Sequence, residues 1–221
     1  MPMRTLLVLP HMDDEAISCG GLIQRRLAEG AEVTVLCVYG RVYDFGRLDG
    51  SSGEGHDFSA AQKILGYQHA QIGNGKTLLR GGEPQIVGFF PPLELVEQVI
   101  ARVRPAEIIG PSRQDINQEH RMLADVLEIA LRPLNRHGVA RVLEFHALDG
   151  TLRRPNYYLG LTQRQLDTKI AAIQAYRREQ RTGSSPRAPA NVAAQARVWG
   201  ACCGCEFAEA YTLIHGAEPA G

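Results

Sequence analysis

Short apolar runs alternate along the chain with segments whose apolar residues recur every three to four positions. The runs predict buried strands, and the recurring spacing predicts helices. The predicted strands are Leu6–Leu9, Val33–Tyr39, Glu107–Ile109, Val139–Phe145 and Cys205–Ile214. The predicted helices are Ala16–Glu29, Phe58–Leu65, Pro92–Val103, Arg121–Leu131, Leu166–Arg178 and Val192–Ala201. This alternation favours an α/β fold with a mostly parallel sheet and helices on both faces.

The segments between these elements differ in composition. Residues 40–56 and 111–120 are long polar loops of the kind that often contain functional residues. Residues 72–91 look irregular, and residues 182–191 form a Pro/Ser linker. With 221 residues, the chain is expected to form a single domain, residues 1–221, with a flexible tail at 216–221.

Charge and hydropathy exclude several classes of partner. Lys plus Arg and Asp plus Glu both number 24, so no excess charge favours a nucleic acid or an anionic membrane. No apolar run approaches the roughly 20 residues of a membrane span, and no secretory cleavage pattern is present. These features predict a cytoplasmic protein without a membrane span, and they leave homo-oligomerisation open.

The five cysteines give no disulfide prediction, because their number is odd. Cys19 and Cys37 lie in apolar surroundings and are expected to be buried. Cys202, Cys203 and Cys205 are expected to pack within the last strand, with a metal or redox motif as the minor alternative.

A polar cluster follows the first predicted strand directly. His11, Asp13 and Asp14 lie there, and His120 follows a later strand. In a parallel sheet, both strand ends lie at one edge, where α/β proteins bind ligands. His11, Asp14 and His120 therefore form a candidate Zn²⁺ site, and Fe²⁺ would also fit these ligands. In the alternative, Asp13 or Asp14 simply caps the following helix.

Two carboxylates of this cluster remain outside the predicted ligand set. Asp13 neighbours a ligand and is the candidate general base for attack by water. Glu15 is expected to cap the helix or to orient a ligand.

Two motifs of the chain resemble those of a known family. The stretch HMDDE at 11–15 resembles the His-Pro-Asp-Asp-Glu signature of the PIG-L/LmbE-like zinc de-N-acetylases, and DINQEHR at 115–121 resembles their second motif, Asp-Leu-Asn-x-Asp-His-Arg. Weaker similarity extends over RRPNYYLGLT and over SSPRAPANVAAQARVWGACCGCEFAEAY. The resemblance implies a Rossmann-like three-layer α/β/α fold and hydrolysis of an N-acetyl group from an amino sugar or its conjugate. It also implies His11, Asp14 and His120 as zinc ligands and Asp13 as general base.

Some positions depart from the family pattern. Met12 stands where the signature has proline, and Asn117 stands where some members have a histidine. We predict a catalytic role for Asn117, because an asparagine can donate a hydrogen bond to an oxyanion although it cannot be a general acid.

Three residues are predicted to bind substrate. They are Arg47, Arg187 and Asp115. For Asp115, orientation of His120 and a simple Asx turn are alternatives.

The sequence thus predicts a zinc-dependent de-N-acetylase acting on a substrate of the N-acetylglucosamine type. One alternative is a deacylase of a different conjugate, such as an antibiotic or a thiol-sugar. Another is a Rossmann-like binding protein without catalysis. Against the latter, the first strand is not followed by the G-x-G-x-x-G fingerprint of dinucleotide sites.

Overall fold

The computed structural model describes residues 2–39, 54–72, 78–80, 83–85, 90–132, 138–148, 154–177 and 181–217. The strands are β1 (Arg4–Leu9), β2 (Glu32–Cys37), β3 (His69–Ile72), β4 (Leu78–Arg80), β5 (Glu83–Gln85), β6 (Glu107–Pro111), β7 (Arg141–Phe145), β8 (Tyr157–Leu161) and β9 (Phe207–Gly216). The helices are α1 (Asp14–Ala28), α2 (Glu54–Leu65), α3 (Phe90–Val103), α4 (Gln118–Ala130), α5 (Gln163–Ala175) and α6 (Pro189–Cys203).

Seven strands form one sheet in the order β3-β2-β1-β6-β7-β9-β8. The first five in this order are parallel, and β9 runs antiparallel to both of its neighbours. The predicted mostly parallel α/β fold is therefore confirmed. The strand order reverses between β1 and β6, and in open α/β sheets the ligand crevice lies outside the carboxyl ends of such a strand pair.

Successive side chains of β1 enter opposite layers. Leu7 and Leu9 pack in the layer that holds α1, α2, α5 and α6, whereas Leu6 and Val8 pack in the layer of α3 and α4. All four side chains are inaccessible to solvent. Burial of each is worth about 1.5–3 kcal/mol, so the apolar run that predicts a strand also explains the three layers.

A carboxylate from β9 is inserted against the backbone of α1. The two oxygens of Glu209 accept hydrogen bonds from the backbone N–H groups of Gly21, at 2.8 Å, and Leu22, at 2.6 Å. Lys169 of α5 lies 2.5 Å from the same carboxylate, and both charged side chains are only 5% exposed. This buried cluster links α1, α5 and β9.

The contact between β9 and α1 also changes the hydrogen bonding within that helix. The Tyr211 hydroxyl donates to the carbonyl of Ser18, which would accept from residue 22 in a regular helix. A Cβ atom at Gly21 would lie 2.5 Å from a methyl group of Leu161. It would also lie 2.9 Å from the carboxyl carbon of Glu209, so any larger residue at position 21 would displace side chains of β8 and β9.

The sequence prediction includes neither β3 nor the short strands β4, β5 and β8. Residues 72–91 are not wholly irregular, because β4 and β5 pair antiparallel there. Residues 157–161 form β8, an edge strand that pairs with β9, although the hydropathy pattern predicts no strand there. Strands of three to five residues are too short to show a clear period.

The prediction for the three clustered cysteines is also wrong. Cys202 and Cys203 lie in the last turn of α6, Cys205 follows it, and all three are exposed rather than packed within a strand. The helix runs two residues further than predicted and ends at Gly204, whose φ of 75° is a left-handed helix stop.

The two remaining cysteines and the C-terminal end of the described chain can also be compared with the predictions. Cys19 and Cys37 are buried, as predicted. Gly216, which the prediction assigns to a flexible tail, belongs to β9, and residues 218–221 lie outside the described residues. Among the helices that the structure describes, none combines the length and apolar character needed to cross a bilayer.

Candidate metal centre

Two segments that are distant in sequence meet at the carboxyl edge of the sheet. His11 and Asp14 follow β1, and His120 lies in the first turn of α4, which follows β6. Because β1 and β6 are parallel neighbours, both segments leave the sheet at the same edge. The predicted meeting of these three side chains is what the structure shows.

The three side chains present their donor atoms to one point. His11 Nδ1 lies 3.3 Å from His120 Nε2, and Asp14 Oδ2 lies 3.4 Å from each of these nitrogens. Donors at about 2.0–2.1 Å from a tetrahedral ion are separated by about 3.3–3.4 Å. All three residues are buried, with 3%, 1% and 0% exposure for His11, Asp14 and His120. The set therefore fits a divalent cation with one position left for another ligand.

Each imidazole also contacts a second carboxylate through its other nitrogen. His11 Nε2 lies 2.5 Å from Glu119, and His120 Nδ1 lies 2.9 Å from Asp115. Such contacts fix the ring and increase its strength as a ligand. Asp115 also accepts the backbone N–H of Asn117 at 2.9 Å, so its contacts match both alternatives weighed for it from the sequence. Its predicted contact with substrate would require these bonds to break.

Asp115→Asn is expected to weaken binding of a divalent cation by about 10–100-fold, because the amide no longer supports the charge on His120. Competition with a chelating dye would measure the affinity. Asp125→Asn is the matched control, since Asp125 lies on α4 but pairs with Arg113 at the surface. Equal affinity in Asp115→Asn and the unmodified protein would contradict this prediction.

The electrostatics of the cluster favour positive charge. Burial alone lowers the pKa of His11, but the carboxylates of Asp14 and Glu119 outweigh burial and raise it to about 10. Burial alone raises the pKa of Asp14, yet His120 and His11 hold it below its usual range. Without a metal, a proton on His11 therefore supplies part of the charge that the carboxylates require.

Cation binding is expected to release about one proton from His11 near neutral pH, because the ligand must be neutral. In the metal-free protein, the protonated His11 stabilises the fold fully below its unfolded pKa of about 6.5, and this contribution is lost as the pH rises through about 10. Calorimetry in two buffers of different ionisation enthalpy would detect the proton. Identical binding enthalpies in both buffers would rule it out.

Asp13 lies beside this cluster and faces a cleft. It occupies the N-cap position of α1 but makes no side-chain capping hydrogen bond, so the alternative in which Asp13 caps the helix is not observed. The Arg187 guanidinium lies 3.8 Å from its carboxylate. The cleft is lined by Asp13, Ile17, Ile173, Tyr176, Arg181 and Arg187.

Two other predicted site residues, Asn117 and Arg187, lie within the described part of the chain. Asn117 caps α4, and its side-chain oxygen accepts the N–H of Glu119 at 2.8 Å. Its amide nitrogen is then the group that could donate to an oxyanion, so the catalytic role stays a prediction. Arg187 borders the cleft, and its contact with substrate also stays a prediction. Arg47 lies outside the described residues.

Glu15 has a contact that the sequence did not indicate. Its Oε1 lies 2.5 Å from the hydroxyl of Tyr176, which also donates to the backbone carbonyl of Met12. Burial raises the pKa of Glu15 well above its usual range, and this effect outweighs the hydrogen bond with Tyr176, which lowers the pKa. A neutral Glu15 can donate a hydrogen bond to the phenol oxygen. The Tyr176 hydroxyl is then able to donate its own hydrogen bond to the Met12 carbonyl. Glu15 therefore contacts Tyr176, the residue that follows α5, and its predicted role in capping α1 or orienting a ligand stays a prediction.

Residues 6–71 match the profile of the PIG-L family, described as GlcNAc-PI de-N-acetylase. The match covers less than a third of the chain. The matched region contains His11, Asp13 and Asp14, and His120 lies beyond it.

A curated relative of this chain is the 1D-myo-inositol 2-acetamido-2-deoxy-alpha-D-glucopyranoside deacetylase of Rhodococcus erythropolis. It is 36% identical over 85 residues, which make up 38% of this chain and 28% of that protein. The corresponding protein of Tsukamurella paurometabola is 58% identical over 41 residues, which make up 18% of this chain and 14% of that protein. The chain thus aligns with less than a third of the length of these relatives.

Solved structures share the fold over almost the whole chain. The zinc-inhibited form of teicoplanin deacetylase Orf2 has a TM-score of 0.75 at 15% identity, covering 96% of this chain and 97% of that one. GalB, the 4-carboxy-2-hydroxymuconate hydratase of Pseudomonas putida KT2440, has a TM-score of 0.75 at 17% identity, with 99% of both chains covered. Since a deacetylase and a hydratase share it, the fold alone does not specify the reaction.

Proposed function

We propose that this chain is a member of the PIG-L family and a metal-dependent hydrolase that removes an N-acetyl group from an amino sugar or amino-sugar conjugate of the N-acetylglucosamine type. The main support is the buried set of His11, Asp14 and His120, whose donor atoms lie 3.3–3.4 Å apart beside the cleft-facing Asp13. The family description and the name of the Rhodococcus relative both specify removal of an acetyl group from an amino sugar.

Each group has a distinct task in this proposal. A divalent cation at the three donors would supply a Lewis acid that polarises the acetyl carbonyl and acidifies water. Asp13 accepts the proton of the attacking water and returns it to the leaving nitrogen. Arg187, 3.8 Å away, stabilises the ionised form of Asp13. Water adds to the acetyl carbon, the C–N bond breaks, and acetate and a free amine are released.

The finer features are proposals as well. Zn²⁺ is the proposed cation because two imidazoles and a carboxylate suit it, and Fe²⁺ accepts the same donors. We propose a cytoplasmic location and a small-molecule substrate, in line with the balanced charge of the sequence.

Metal analysis combined with an acetate-release assay tests the proposal. The substrate panel would contain N-acetylglucosamine joined to inositol, to a second sugar, to a thiol conjugate and to a glycopeptide. We expect about one cation per chain, acetate release from at least one member, loss of activity with a chelator and recovery when metal is restored. A protein that binds no cation and releases no acetate would refute the proposal.

A further inference from the structure

The residue Tyr176, directly after α5, reaches the turn between β1 and α1. Its hydroxyl donates to the carbonyl of Met12 and lies 2.5 Å from Glu15 Oε1. These contacts fall on either side of Asp13. The Tyr176 residue is only 4% exposed, so packing fixes the ring while the hydroxyl holds the turn.

Two local hydrogen bonds flank the peptide that joins Met12 to Asp13: the His11 N–H donates to Asp14 Oδ2 at 3.1 Å, and the Asp13 carbonyl accepts the N–H of Ile17 at 3.0 Å. Neither of these bonds involves the Met12 carbonyl. Asp13 has helical dihedral angles, φ −85° and ψ −14°, and its side chain makes no capping hydrogen bond. A proline at position 12 would fix φ of that residue near −65° through its ring, whereas methionine leaves this restraint to packing, since Met12 is buried. The hydrogen bond from Tyr176 to the Met12 carbonyl acts directly on this peptide plane.

We propose that Tyr176 is a positioning residue, whose hydroxyl fixes the Met12–Asp13 peptide and thereby directs the Asp13 carboxylate into the cleft. This inference rests on the proposed role of Asp13 as general base. Tyr176 and Asp13 line the same cleft, and Tyr176 is not among the three metal-site donors. Its hydroxyl can therefore affect catalysis without affecting the bound cation.

Tyr176→Phe removes only the hydroxyl, and Tyr67→Phe is a matched control. Tyr67 is buried in the same core layer, and its hydroxyl has no hydrogen-bond partner within the described part of the chain. Since a 1 Å misplacement can cost about 10²-fold in rate, we expect kcat of Tyr176→Phe to fall by about 10–10²-fold. KM should stay within about twofold, bound cation should be unchanged, and Tyr67→Phe should match the unmodified protein.

Combination with Asp13→Asn separates positioning from general stability. If Tyr176 acts through Asp13, then Tyr176→Phe lowers kcat no further when Asp13 is already asparagine. Equal losses in both backgrounds, together with a lower melting temperature, would identify a purely structural role and overturn the inference.

Hydrogen exchange of residues 10–17 gives a measurement that does not depend on activity. We expect faster exchange of this segment in Tyr176→Phe and an unchanged rate in Tyr67→Phe. Unchanged exchange together with unchanged kcat in Tyr176→Phe would overturn the inference. If exchange rises but the unmodified protein releases no acetate from any substrate, the proposed function fails while the fixing of the turn by Tyr176 stands.

Discussion

Asp13→Asn is expected to lower kcat by about 10²–10⁴-fold, the usual contribution of a general base, while the protein still binds its cation. Asp13 is not one of the three converging donors, and its side chain faces the cleft instead. The amide is nearly isosteric with the carboxylate but cannot accept the proton of water. Acetate release and metal content, measured on the same preparation, would test both halves of this prediction.

His120→Ala provides the contrasting variant. It removes one of the three donors, so we expect cation and turnover to be lost together. Full activity in Asp13→Asn would exclude Asp13 as the base. Loss of the cation in Asp13→Asn would instead make Asp13 a ligand, and the assignment of Asp14 would then need revision.

Glu209→Gln is expected to lower the free energy of unfolding by about 3–5 kcal/mol, because it leaves a buried lysine without its counter-charge. Lys169 and Glu209 are each 5% exposed and lie 2.5 Å apart. The Glu209 carboxylate also accepts two backbone N–H groups of α1, which an amide group would satisfy less well. Denaturant unfolding, followed by circular dichroism, would measure the loss.

Asp125→Asn is the control for this second prediction. Asp125 pairs with Arg113 at the surface, where an ion pair contributes about 0–1 kcal/mol. Adding Lys169→Met to Glu209→Gln should restore part of the stability, because it removes the unpaired charge. A Glu209→Gln protein as stable as the unmodified one would show that Lys169 reaches solvent.

The part of the candidate site that could be predicted depends on local spacing and one rule of sheet topology. His11 and Asp14 are three residues apart after an apolar run, and a parallel sheet brings the end of another strand, with His120, to the same edge. Coordination chemistry then selects two imidazoles and a carboxylate. The family resemblance led independently to the same residues.

The supporting contacts could not be predicted, because they join residues that are distant in sequence. Tyr176 and Met12 are 164 positions apart, and Glu209 and Gly21 are 188 positions apart. No periodicity links such residues, and only the packing of α5 and β9 onto α1 places them together. Glu119 was missed for a different reason, since an acidic residue in the first turn of a helix usually stabilises the helix dipole.

The position of β9 between β7 and β8 has a consequence for protein synthesis. As the ribosome releases the chain, the donors His11 and Asp14 emerge well before Glu209. The Glu209 carboxylate, which accepts backbone N–H groups of α1, emerges only with β9. A nascent chain lacking β9 would present His11 and Asp14 at the start of a helix that Glu209 does not yet contact. We therefore expect nascent chains stalled before residue 207 to bind metal weakly, and high-affinity metal uptake to begin only after β9 has left the ribosome.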